Sequence, residues 1–163
     1  MPAAAYDPTI YLHDDALTTR AATLTGIEAA ALAEELAGNL KSHVFYVVKS
    51  GNNKGGAAGL ADPRLVPILR ETDPAALARS LAKSPGLKLN LDGIDVRFEL
   101  PSGAADVVRL IDGVRDIEAI HSDLAERIPR LTRAAFDALF AKIYGVLNPL
   151  NMLLFGGPNA PKR

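Results

Sequence analysis

The chain has 163 residues, 48% hydrophobic and 23% charged, with a formal net charge of −1. That length suits one domain or two small ones, and the near-neutral balance argues against a general polyanion-binding surface. The absence of cysteine excludes a disulfide framework, a thiolate metal site and a cysteine nucleophile. The N-terminal stretch "MPAAAYDPTIYLHDD" has no basic region followed by an apolar core, and no apolar run approaches the ~20 residues of a membrane helix. A cytoplasmic location, with no membrane partner, is therefore expected. Alanine clusters such as "GIEAAALAEELAG" and "LTRAAFDALFAKIYG" point to closely packed helices and to a mostly helical α+β fold.

Residues 1–13, with Pro2, Pro8, Tyr6, Ile10 and Tyr11, predict an extended arm that packs on something. A short helix follows from Asp14 or Asp15 to about Thr23. Thr25 and Glu28 have capping-box spacing, so a helix should start there, with Leu32, Leu36 and Leu40 as its apolar stripe. "HVFYVVKS", 43–50, is β-branched and aromatic and reads as a strand. These elements make a first segment, 1–60, that ends in a glycine-rich loop.

A winged-helix-like module is expected over 61–155, before a flexible tail at 156–163. It begins with "DPRLVPILRE", read as an irregular or helical piece. Asp73 and Pro74 supply an N-cap and a first helical position for a helix to about Lys83. Leu87, Leu89 and Leu91 then alternate with polar residues, Asp92-Gly93 turns the chain, and Ile94, Val96, Phe98 and Leu100 alternate again. That pattern predicts a two-residue hairpin with one buried face. Three helices should follow, over 102–111, 116–128 and 132–147. The last carries Leu131, Ala135, Leu139 and Ile143 on one face, widened by Phe136, Phe140, Tyr144 and Leu147. "NMLLF" is expected to return as a strand to the hairpin. Leu89, Phe98, Val108, Ile120, Leu139 and Ile143 should share one core.

The loop "SGNNKGGAAGLADP", 50–63, superficially resembles a phosphate cradle. It fails the test, because Gly56 is followed by two alanines where that motif needs Lys and a hydroxyl. None of His13, His43 and His121 pairs at helical spacing with another histidine, so no metal site is expected. His121-Ser122-Asp123 lacks the nucleophile elbow that would make a triad of it. From Arg109 to Arg133 five basic residues meet five acidic ones, a poor balance for phosphate contacts, so nucleic acid is not an expected partner. Asp95, Arg97 and Glu99 on the hairpin, with Arg130 and Arg133 by the last helix, are the candidate partner-binding residues. No catalytic, cofactor or metal residue is assigned.

"LAEELAGNLKSHVFYVVKS" and "YDPTIYLHDDAL" resemble the region that follows the catalytic domain in bacterial class I S-adenosylmethionine-dependent methyltransferases. "VVRLIDGVRDIEAIHSDLAERI", 107–128, is similar to the winged-helix piece that closes such proteins. It also resembles the small peptide-recognition domain of peptide-modifying enzymes, including those of pyrroloquinoline-quinone biosynthesis. Leu110, Asp112, Gly113, Arg115, Glu118 and Ile120 carry that likeness. The resemblance implies a non-catalytic accessory module that recognises a protein or peptide, or docks on a methyltransferase catalytic domain. The glycine-rich cofactor loop and its parallel βαβ frame are missing, so no cofactor site carries over. Alternatives are a stand-alone peptide-binding partner of a modifying enzyme, a winged-helix transcription regulator and a self-contained enzyme.

Overall fold

The structure, a computed structural model, describes residues 2–38, 62–91 and 93–156. The expected strand at 43–50, Leu40, the glycine-rich loop, Asp92 and the tail from 157 lie outside the described residues. The fold is α+β and mostly helical. In chain order come α1 (Asp15–Ala21), α2 (Gly26–Ala37), β1 (Val66–Leu69), α3 (Pro74–Lys83), β2 (Gly86–Leu91) and β3 (Ile94–Glu99). They are followed by α4 (Ala104–Leu110), α5 (Ile117–Arg127), α6 (Arg133–Leu147) and β4 (Leu153–Gly156). Two compact units emerge, Met1–Val47 with Lys88–Phe98, and Val48–Leu87 with Glu99–Arg163.

In the first unit the N-terminal arm is not extended. It winds into two 3₁₀ turns, Ala3–Tyr6 and Pro8–Tyr11. Asp7 drives the second turn, accepting from the Thr9 amide at 2.9 Å and the Thr9 hydroxyl at 2.6 Å, and Pro8 already has a helical φ. The Tyr11 hydroxyl donates back to the Ala5 carbonyl at 2.9 Å, tying the two turns together. α2 packs against both turns. Two expectations for α2 fail. Thr25 makes no side-chain cap, and the residue α2 buries completely is Ala33, while Leu32 is half-buried and Leu36 is 38% exposed. Close approach of the turns favours a small side chain at that contact, so hydrophobicity alone misplaced the buried stripe. Gly38, at φ 71, ends the helix in a left-handed conformation.

The hairpin forms as its alternation predicts. Gly93 takes φ 96 in the turn, and the Asn90 side chain braces it, accepting from the Gly93 amide at 2.7 Å and donating to Asp95 at 2.7 Å. Its apolar face contributes Leu91 and Val96 to a small core with Ala5, flanked by Ile10, Leu89, Ile94 and Phe98.

The second unit departs from expectation at both ends. "VPIL" is a strand, not an irregular or helical piece, and β4 pairs antiparallel with it rather than with the hairpin. The register runs from Val66↔Gly156 to Leu69↔Leu153. Pro67 is compatible with β1 because, among the described residues, a two-stranded sheet leaves one side of each strand unladdered, where a missing N–H costs little. Between the strands, α3, α5 and α6 start at side-chain caps. Asp73 accepts from Ala75 and Ala76, Asp116 from Ala119, and Thr132 from Ala135. The chain before β1 completes the start of α5, where Ile117 and Glu118 donate their amides to the carbonyls of Leu65 and Pro63, each at 3.1 Å.

All these helices feed one core. Phe136, Phe140, Ile143 and Leu147 form the buried stripe of α6, whereas Ala135 is exposed and Leu131 and Leu139 only half-buried. Val107 and Val108 of α4, Ile117 and Ile120 of α5, Leu77 and Leu81 of α3, and Leu153 of β4 complete it. Aromatic contacts join α6 to β4, with Tyr144 stacked on Phe155 at 5.0 Å. The single expected core is therefore two. Val108, Ile120, Leu139 and Ile143 belong to this one, while Leu89 and Phe98 lie in the core of the first unit.

Candidate interaction surface

β3 alternates half-buried and buried Ile94, Val96 and Phe98 with exposed Asp95, Arg97 and Glu99. Lys88 and Asn90 are the exposed residues of β2. The hairpin thus presents a polar face of mixed charge, and in a sheet of two strands each strand keeps one edge without a neighbour among the described residues. Such an edge can accept another extended segment, while mixed charge restrains indiscriminate pairing.

The two arginines differ. Arg130 is exposed in the loop between α5 and α6. Arg133 opens α6 and is engaged, pairing with Asp137 at 2.7 Å and with Glu118 across on α5. The hydrogen bond to Asp137 holds its guanidinium above the ordinary arginine range, against a small cost of burial and with further help from Glu118. It is a strut between two helices before it is a contact for anything else.

The residues that carry the family likeness have structural duties here. Asp112 accepts from the amides of Val114 and Arg115 at 2.9 and 2.8 Å, with Gly113 at φ 74, and so shapes the turn from α4 into α5. Arg115 then clamps that turn to α5, pairing with Asp112 at 2.9 Å and Asp123 at 3.0 Å. Burial opposes the Asp112 charge, but the two amides and the Arg115 guanidinium outweigh it and keep the carboxyl below the usual aspartate range. Leu110 and Ile120 are core residues.

Among the histidines, His13 is exposed and His43 lies outside the described residues. His121 packs on Phe136 with ring centroids 5.1 Å apart, its Nδ1 is 4.0 Å from Glu118, and its Nε2 is buried without a hydrogen-bond partner. Asp123 is occupied by Arg115, so His121-Ser122-Asp123 is not a relay. No cluster of three metal-ligating side chains occurs among the described residues, and no described helix is long and apolar enough to cross a membrane.

Sequence reasoning missed one surface feature. Ile68 and Leu154 face each other across β1 and β4 and are 37% and 38% exposed. Four-residue strands are too short for alternation to reveal which face is outward. Compared with known proteins, the chain matches no family model, no curated protein and no solved structure.

Proposed function

We propose that this chain is a non-catalytic recognition module of the methyltransferase-accessory type, which engages a protein or peptide partner through the hairpin. The observation that supports it is the polar face of β2–β3, with Asp95, Arg97 and Glu99 exposed on a hairpin whose sheet has two strands among the described residues. Strand addition gains affinity from backbone hydrogen bonds, and alternate side chains supply selectivity. The chemistry of the partner follows from the resemblance, with the catalytic domain of a class I S-adenosylmethionine-dependent methyltransferase as the first choice. S-adenosylmethionine itself belongs to that domain, not to this chain.

The test is an NMR titration of the labelled chain with such a catalytic domain encoded beside it. Amides of Lys88–Glu99 should shift, and the paired reversal Asp95→Lys with Arg97→Glu should weaken the complex at least tenfold. Unmoved hairpin amides, or micromolar S-adenosylmethionine binding by the isolated chain in calorimetry, would overturn the reading. The regulator alternative draws on exposed Arg127 and Arg130 at the α5–α6 loop. It is chosen instead if duplex DNA shifts that loop with an affinity that collapses as salt rises.

A further inference from the structure

We propose that a cleft in the second unit, between the end of α3 and the start of α4, binds a free apolar α-amino acid. The cleft holds ≈ 340 Å³. That is the low end of the roughly 300–1,000 Å³ typical of small-molecule sites, so the occupant is a single small molecule and not a nucleotide cofactor. Its apolar side is Leu81 of α3 with Pro85, Leu100 and Pro101. The Leu100 amide donates to the Pro85 carbonyl at 2.8 Å, pinning the two flanking segments to each other, and the prolines stiffen both. The wall is preformed.

The polar side is Asp106 and Arg109 of α4. Two other groups in this unit pair acids with arginines, Asp112–Arg115–Asp123 and Glu118–Arg133–Asp137. Asp106 and Arg109 are exposed, and neither side chain has a hydrogen bond or ion pair among the described residues. Three positions apart on a helix, they are neighbours separated by about 5–6 Å at Cβ. A ligand that answers both needs an ammonium for Asp106 and a carboxylate for Arg109 within a few ångströms of each other, plus an apolar group for the wall. An α-amino acid has that layout, and guanidinium is well shaped to hold its carboxylate with two parallel hydrogen bonds.

L-leucine, N-acetyl-L-leucine, L-leucinamide and glycine, each titrated into the labelled full chain, separate the three contacts. Leucine should shift amides of residues 102–109 saturably at millimolar concentration or below. Acetyl-leucine, without the ammonium, leucinamide, without the carboxylate, and glycine, without the apolar group, should each bind at least tenfold more weakly. Asp106→Asn should remove the preference for leucine over acetyl-leucine, and Arg109→Gln the preference over leucinamide. Both positions are exposed, so the fold survives either change. No saturable shift with leucine, or equal affinity for all four compounds, overturns the proposal. Hairpin amides are expected to stay still, so the outcome is independent of partner recognition by β2–β3.

Discussion

The first unit buries Ala5, Leu91 and Val96 inside a ring of half-buried side chains, and the second buries Phe136, Phe140, Ile120, Ile143, Val107 and Val108 to 2% exposure or less. The two units hold themselves together differently in consequence. Burial of apolar surface stabilises by roughly 25 cal/mol per Å², so the second core gains from packing what the first cannot. Local hydrogen bonds fix the first unit instead. Asp7 shapes its second turn, Tyr11 bridges its two turns, and Asn90 braces the hairpin. A unit built that way leaves the polar residues of its hairpin, Lys88, Asn90, Asp95, Arg97 and Glu99, exposed.

Emptying the centre of each core tests this contrast most directly. Phe136 is fully buried, touching His121 and Phe140. Phe136→Ala should cost about 3–5 kcal/mol in denaturant unfolding, the usual range for a deleted core aromatic. Phe98 is only half-buried, so Phe98→Ala should cost less, about 1–2 kcal/mol, since part of its surface already meets water. Equal losses at the two positions would show that the cores are of one quality, and the comparison would fail.

The helix starts sharpen it at smaller scale. Thr132 accepts from the Ala135 amide at 3.2 Å at the start of α6, so Thr132→Ala should cost about 0.5–2 kcal/mol. Thr25 stands at the same position before α2 and makes no such bond. Thr25→Ala should stay within about 0.5 kcal/mol of the parent. A Thr25 effect as large as that of Thr132 would mean that α2 relies on a side-chain cap after all.

This pair of threonines also shows what the sequence made legible. The cap at Asp73 was readable, and so were helix starts near Asp116 and Thr132, because one side chain and an amide three residues on settle the matter locally. The hairpin was readable because its alternation runs over both strands and meets Asp92-Gly93. Whatever depends on a distant partner was not. β1 and β4 lie more than eighty positions apart and carry four residues each, so neither announces its mate. The role of Ala33 depends on turns from another part of the chain, which no periodicity in "GIEAAALAEELAG" reveals. Of the candidate site, the exposed residues of β3 followed from alternation. The engagement of Arg133 with Glu118, fifteen positions earlier, did not.

The smallest effect concerns a charge in the second unit, at the turn where Asp112 meets Arg115. Its carboxyl is held below the usual aspartate range in the folded chain, so the folded state favours the ionised form. Linkage fixes the sign. The stabilisation is fully present above the ordinary aspartate range and is lost as pH falls through the lowered folded value. Asp112→Asn keeps an oxygen for the Val114 and Arg115 amides but removes the charge that faces Arg115. Parent and variant should therefore differ at neutral pH by no more than about 1 kcal/mol, because both partners are about 40% exposed and water screens the pair. That difference should vanish in strong acid, where the parent is protonated too. Urea midpoints measured from neutral to acid pH would show it. A gap that persists in acid would mean that Asp112 acts through shape alone, with its charge contributing nothing to the turn.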